Sequence, residues 1–175
     1  FHIAEFEQTT DGFESTFAVN HLAHFELTRL LLPSMPRGAR VVTVASEAHR
    51  GARVDWDDLQ LERRWSGLRA YANSKLFNLW FARELGRRHP EVASFAVHPG
   101  SVRTGWARGR ESGLLPLGVA LPSPFLIRPT TGTRSPVYPA RSSDLVRKSG
   151  PSTIRPPRAP PSRPAPCPAQ AARRR

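Results

Sequence analysis

A chain of 175 residues with one cysteine and a formal charge of +12 has room for one hydrophobic core and excludes both an intrachain disulfide and a thiolate metal cluster. No run approaches the roughly 18 to 20 apolar residues of a membrane span, and the first residues lack the basic, apolar and cleavage regions of a signal peptide, so a cytoplasmic chain is expected. The charge would ordinarily point to nucleic acid or an anionic membrane surface, yet half of the excess sits in residues 149–175, where six arginines meet no acid.

In chain order, DGFESTFAVNHLAHFELTRLLLPSM places Phe13, Phe17, Leu22, Phe25, Leu27, Leu30 and Leu31 at helical spacing and reads as one amphipathic helix against a core. Thr10 or Asp11 is its expected N-cap, and Pro33 closes it or sits in its last turn. After the Pro36–Gly38 turn, RVVTVAS is a β-branched run between turn signals and predicts a buried strand. Residues 47–67 form a polar connection with a short turn at DWDDLQ. YANSKLFNLWFARELGRR then repeats apolar residues, among them Leu76, Phe77, Leu79, Trp80, Phe81 and Leu85, and predicts a second helix ending near His89 and Pro90. VASFAVHPG reads as another buried strand, stopped by Pro99 and Gly100.

Beyond Gly100, SGLLPLGVALPSPFLI is apolar but broken by three prolines, as in a flap or a short helix. TTGTRSPVYPARSSDLVRKSG can start as a helix that Pro136 and Pro139 interrupt. From Gly150 onward eight prolines and no acid leave too little apolar surface to offset the entropy of ordering, so residues 149–175 read as a disordered tail behind a domain at 1–148. Proline-recognising domains or nucleic acid would be the partners of such a tail, but no aromatic residues are interleaved with its arginines, so nucleic acid is disfavoured.

Helix, strand, helix, strand is the alternation of an α/β chain with a parallel sheet and crossover helices. Both strands then end at one sheet edge, at Ser46 and His98, where ligands of open α/β sheets bind. Tyr71 heads its helix after a loop leaving that edge, with Lys75 one turn along on the same face. An isolated tyrosine and lysine at this spacing are more often a surface pair. A phenol titrates near 10, and a nearby ammonium favours its phenolate. Ser46 can hold a carbonyl or alcohol oxygen while Tyr71 moves a proton, and Asn20 can anchor a water that relays protons from Lys75. Such a set suits interconversion of an alcohol and a carbonyl with hydride exchanged with a nicotinamide. His21 and His24 lie three apart, but without an HExxH pattern or a third ligand they are expected to serve helix packing rather than a metal. Ser46 stands in VASEA, not in a GxSxG elbow.

VNHLAHFELT, RVVTVASEAH, YANSK and HPGSVRT, in that order and at those intervals, closely resemble the short-chain dehydrogenase/reductase family, and most nearly its retinol-dehydrogenase-like and WW-domain-oxidoreductase-like members. The resemblance covers about residues 1–148. It implies part of a Rossmann-type, doubly wound parallel sheet and a catalytic tetrad of Asn20, Ser46, Tyr71 and Lys75. Tyr71 would be the general acid/base, Ser46 the residue positioning the substrate oxygen, and Lys75 the group acting on Tyr71 and holding the nicotinamide ribose. Pro99, Gly100 and Val102 would line the nicotinamide, and Thr104 would reach its carboxamide. NAD or NADP is the implied cofactor, an apolar alcohol or carbonyl compound the implied substrate, and a homodimer the implied assembly.

The family's TGxxxGxG fingerprint and its NAG stretch are not found in the chain, which is therefore expected to begin about halfway through the nucleotide-binding fold. The segment that would choose NAD or NADP goes with them. A different class of function is a catalytically inactive remnant, or an interaction module with a basic, proline-rich tail.

Overall fold

Two short strands and one long helix set the frame of the computed structural model, which describes residues 5–99, 134–141 and 153–154. Strand β1, Arg40–Val44, and strand β2, Ala93–Val97, pair in parallel with Arg40 opposite Ala93 and Val44 opposite Val97. Every residue of β2 is buried, which is the burial of a parallel strand covered on both faces and explains why its sequence is apolar without alternation. Strand β1 is only partly covered, and Val44 is exposed at its end. The chain crosses from β1 to β2 through the 22-residue helix α3, Gly67–Arg88, as a parallel pair requires. Phe77, Ala82 and Leu85 of α3 are buried with Val92, Phe95 and Val97.

The amphipathic helix expected from residue 11 onward begins later. Helix α1, Ser15–Phe17, runs into a π-helical turn, Ala18–Leu22, then into α2, Ala23–Leu31, and a closing 3₁₀ turn, Leu32–Ser34, that contains Pro33. The residues at these junctions keep helical backbone angles, so the pieces form one rod. Thr10 and Asp11 are not the cap. They belong to a tight turn in which Gly12 takes φ +80° and its N–H donates to the Thr9 carbonyl at 2.9 Å, a conformation glycine adopts without a Cβ penalty. The cap is Glu14, whose carboxylate accepts from the N–H groups of Thr16 at 3.0 Å and Phe17 at 2.6 Å. Its own N–H donates to Gln60 Oε1 at 2.8 Å, which ties the start of the rod to the connection after β1.

The expected core face of this rod is also revised. Phe13, Phe25, Leu27, Leu30 and Leu31 are exposed, Leu30 to 61%. Helical periodicity identifies a face but not the element that covers it: α3 meets this one only in part, with Phe81 edge-on to Phe25 at a ring separation of 5.6 Å.

Two further differences fall in the C-terminal third. Helix α4, Arg134–Arg141, continues through Pro136 and Pro139; Pro136 lies in the first turn, where the N–H has no intrahelical acceptor to lose, whereas Pro139 gives up one helical hydrogen bond. Strand β3, Thr153–Ile154, lies inside the stretch assigned to the tail and pairs in parallel with β2, Thr153 opposite Ala96 and Ile154 opposite Val97. The sheet order is therefore β1-β2-β3. Composition averaged over the whole tail hid its one adjacent β-branched pair. The apolar segment proposed as a flap lies outside the described residues. Among the described residues, no helix is long and apolar enough to cross a membrane.

Replacing the cap should loosen the rod. Glu14→Ala is expected to lower stability by about 1 to 2 kcal/mol, read as a lower urea midpoint with an unchanged slope; an unaltered midpoint would show that the buried carboxylate does not hold the helix start.

Candidate active site

The ends of β1 and β2 bring Ser46, Lys75 and Pro99 of the sequence-predicted residues to one edge. The pairing continues one step past β1, where the Ala45 N–H donates to the Val97 carbonyl at 2.8 Å. Ser46 follows in extended conformation and caps the 3₁₀ turn Glu47–Gly51, its Oγ accepting from the Ala48 N–H at 3.3 Å. That turn packs on α3. Pro99 lies half-buried just beyond β2, whereas Gly100, Val102 and Thr104 lie outside the described residues.

Tyr71 and Lys75 sit in the first half of α3, both half-buried. Lys75 Nζ stands 5.6 Å from the centroid of the Tyr71 ring, within reach of a cation–π attraction, and donates to the Val44 carbonyl at the end of β1 at 3.3 Å. Burial pushes the Lys75 ammonium below its ordinary titration range. The Tyr71 ring and the Lys75 ammonium thus stand near the end of the strand from which Ser46 emerges.

Asn20 lies in the π-helical turn and is buried. Such single wide turns recur at functional positions because they shift the helix register locally. Its Nδ2 donates to Ser74 Oγ at 3.1 Å, and Ser74 Oγ donates to the Tyr71 carbonyl at 2.7 Å. The Asn20 carbonyl accepts from Asn78 Nδ2 at 2.9 Å. A direct side-chain chain thus joins Asn20 to the Tyr71 turn of α3.

Three polar residues of α3 that the sequence reading passed over do much of this joining. Asn73, Ser74 and Asn78 are all buried. Asn73 clamps the backbone of Arg53, accepting from its N–H at 2.9 Å and donating to its carbonyl at 3.2 Å, so the long connection is pinned beside Tyr71. Asn78 reaches Asn20 and, at 3.4 Å, the Val44 carbonyl. The available signal was their place on the apolar face of an otherwise regular helix, where a polar side chain needs a partner.

His21 joins packing to this network. It lies among Phe17, Phe25, Phe77 and Phe81, and its Nδ1 is 3.0 Å from Asn78 Oδ1. The Asn78 amide nitrogen faces two carbonyls, so Oδ1 is the acceptor and His21 Nδ1 carries the hydrogen. Burial lowers the His21 pKa, partly offset by the Asn78 hydrogen bond, and His24 is lowered by burial and by the charge of Lys75. His21 also lines an apolar cavity of about 530 Å³ with Phe25, Phe77, Trp80, Phe81 and Leu85. None of Asn20, Ser46, Tyr71 and Lys75 lines that cavity. Among the described residues, no three of His, Cys, Asp and Glu are grouped to hold a metal.

Known proteins resemble this chain over most of its length. It is 42% identical over 149 residues to mouse retinol dehydrogenase 12, covering 83% of this chain and 46% of that protein. It is 38% identical over 156 residues to mouse retinol dehydrogenase 14, covering 86% and 46%. The chain spans about half the length of the curated relatives it matches. A crystal structure of an uncharacterized protein from Mycobacterium paratuberculosis aligns with a TM-score of 0.54 and 43% identity, covering 61% of this chain and 42% of that one. No protein-family model matches.

The His21 environment makes stability depend on pH. Its folded pKa lies below the ordinary 6.5, so between the two values the unfolded chain binds more protons, and stability falls as pH drops below about 6.5. Urea midpoints from about pH 8 to about pH 5 should fall more steeply for the unaltered chain than for His21→Gln; parallel curves would remove His21 as a source of acid sensitivity.

Proposed function

The chain belongs to the short-chain dehydrogenase/reductase family, among its retinol-dehydrogenase-like members, and on that premise we propose that it interconverts an alcohol and a carbonyl at a site formed by Asn20, Ser46, Tyr71 and Lys75. The observation that carries this reading is the Lys75 ammonium, held on the last carbonyl of β1 and beside the Tyr71 ring at the end of the parallel strands. A bound NAD or NADP supplies or accepts the hydride.

In the reducing direction, the Ser46 hydroxyl donates to the substrate carbonyl oxygen and the Tyr71 hydroxyl delivers a proton to it. In the oxidising direction, Tyr71 takes the proton from the alcohol. Lys75 favours the phenolate that is left or needed, and an ammonium in a poorly solvated place does so more strongly than one in water. Tyr71 and Lys75 would also hold the nicotinamide ribose, and Pro99 would border the nicotinamide, with Gly100, Val102 and Thr104 beyond it. Asn20 braces the turn that presents Tyr71 through Ser74. An apolar aldehyde or ketone is the substrate class suggested by relatives named retinol dehydrogenases.

Tyr71→Phe keeps the ring and removes the proton. It should lower turnover of an apolar aldehyde by about a hundredfold or more while nicotinamide binding, followed through the chain's four tryptophans, weakens far less because Lys75 remains. Equal turnover in the two proteins would take Tyr71 out of the chemistry.

A further inference from the structure

Asn78 is 1% exposed and lies one helical turn beyond Lys75. Its amide is spent on three partners in two elements: Nδ2 donates to the Asn20 carbonyl at 2.9 Å and to the Val44 carbonyl at 3.4 Å, and Oδ1 accepts from His21 Nδ1 at 3.0 Å. The Val44 carbonyl is the same oxygen that receives Lys75 Nζ at 3.3 Å. A carbonyl oxygen has two acceptor directions, so an amide and an ammonium divide this one between them. Both contacts are long, as expected where two donors compete for one acceptor.

We propose that Asn78 is a positioning residue for the Lys75 ammonium: by sharing the Val44 carbonyl and clamping the Asn20 carbonyl, it keeps Nζ from collapsing onto the strand end and holds it beside the Tyr71 ring. The inference rests on the assignment of Lys75 to the proposed hydride-transfer site, but its geometry is independent of turnover. The Asn20 and Val44 carbonyls fix which way the amide points, because both are acceptors and only Nδ2 can donate to them, and His21 Nδ1 donates to the Oδ1 left on the other side. The titratable groups facing Lys75 among the described residues are His24 from the first helical rod and Tyr71 on α3 itself, with His21 behind Asn78; β1 contributes its carbonyl.

The chain contains only two lysines, Lys75 and Lys148, which makes the ammonium directly observable. In the full chain labelled with ¹³C at lysine and asparagine, the Lys75 Hε protons should carry a displacement from the Tyr71 ring current, assigned by its loss in Tyr71→Leu, with Lys148→Arg leaving a single lysine signal. Asn78→Leu, of similar shape but without donors, should lose that displacement and move the Lys75 signal toward the position of Lys148, while circular dichroism remains that of the folded chain. A purely structural role for Asn78 would lower stability without moving this signal in the folded state. In the unaltered chain, the Asn78 Cγ signal should shift with the midpoint of the Lys75 Cε titration and cease to do so in Lys75→Met, a comparison that decides the matter even if Asn78→Leu does not fold. An Asn78 Cγ indifferent to Lys75, or a Lys75 signal unmoved in folded Asn78→Leu, would overturn the proposal. Absence of aldehyde reduction by the unaltered chain would count against the hydride-transfer reading alone, leaving both measurements valid.

Discussion

The Val44 carbonyl is the point on which the site depends. At the exposed end of β1 this carbonyl takes an ammonium and an amide from the same helix, Lys75 and Asn78. Because both donors come from α3, the carbonyl fixes how that helix sits over the end of β1. The Tyr71 phenol, one turn before Lys75, is thereby set beside the ammonium and above the sheet edge where Ser46 emerges. A backbone acceptor thus ties Lys75, and with it the Tyr71 ring, to the strand that leads into Ser46.

The second support comes from the first helical rod. Its π-helical turn holds Asn20, whose side chain and carbonyl are both engaged by α3, through Ser74 and Asn78. Buried amide networks rigidify a site when every member is satisfied and are costly when one is not. His21 completes this one by donating to Asn78 Oδ1 from within an aromatic cluster. Packing of Phe17, Phe77 and Phe81 and the polar bracing of Lys75 are therefore coupled through one imidazole, which burial keeps mainly neutral near pH 7.

The strands and α3 were legible because their signals are local. Val41 to Val44 and Val92 to Val97 are apolar runs between turn residues, and the period of Leu76 to Leu85 has one interpretation. Their alternation led to the parallel pair and to Ser46 and Tyr71 at one edge. What could not be read depends on partners far along the chain. Glu14 caps its helix while buried against Gln60, and nothing within four residues distinguishes it from Asp11 as a cap. Asn78 gains its meaning from Asn20, His21 and Val44, residues that only the tertiary fold brings to it. The exposed face of α2 failed for the opposite reason: the periodicity is real, but amphipathicity does not name the covering element. Thr153 and Ile154 were masked by the proline-rich text around them.

The central proposal is that hydride passes between a bound nicotinamide and the carbon of an apolar alcohol or aldehyde while Tyr71 moves the proton at its oxygen. Its most direct test is isotope transfer: the chain is given reduced nicotinamide cofactor carrying deuterium at the transferring carbon, with an apolar aldehyde, and the product is read by mass spectrometry. The account predicts an alcohol with one deuterium on its carbinol carbon. Saturable cofactor binding with no labelled alcohol would contradict it.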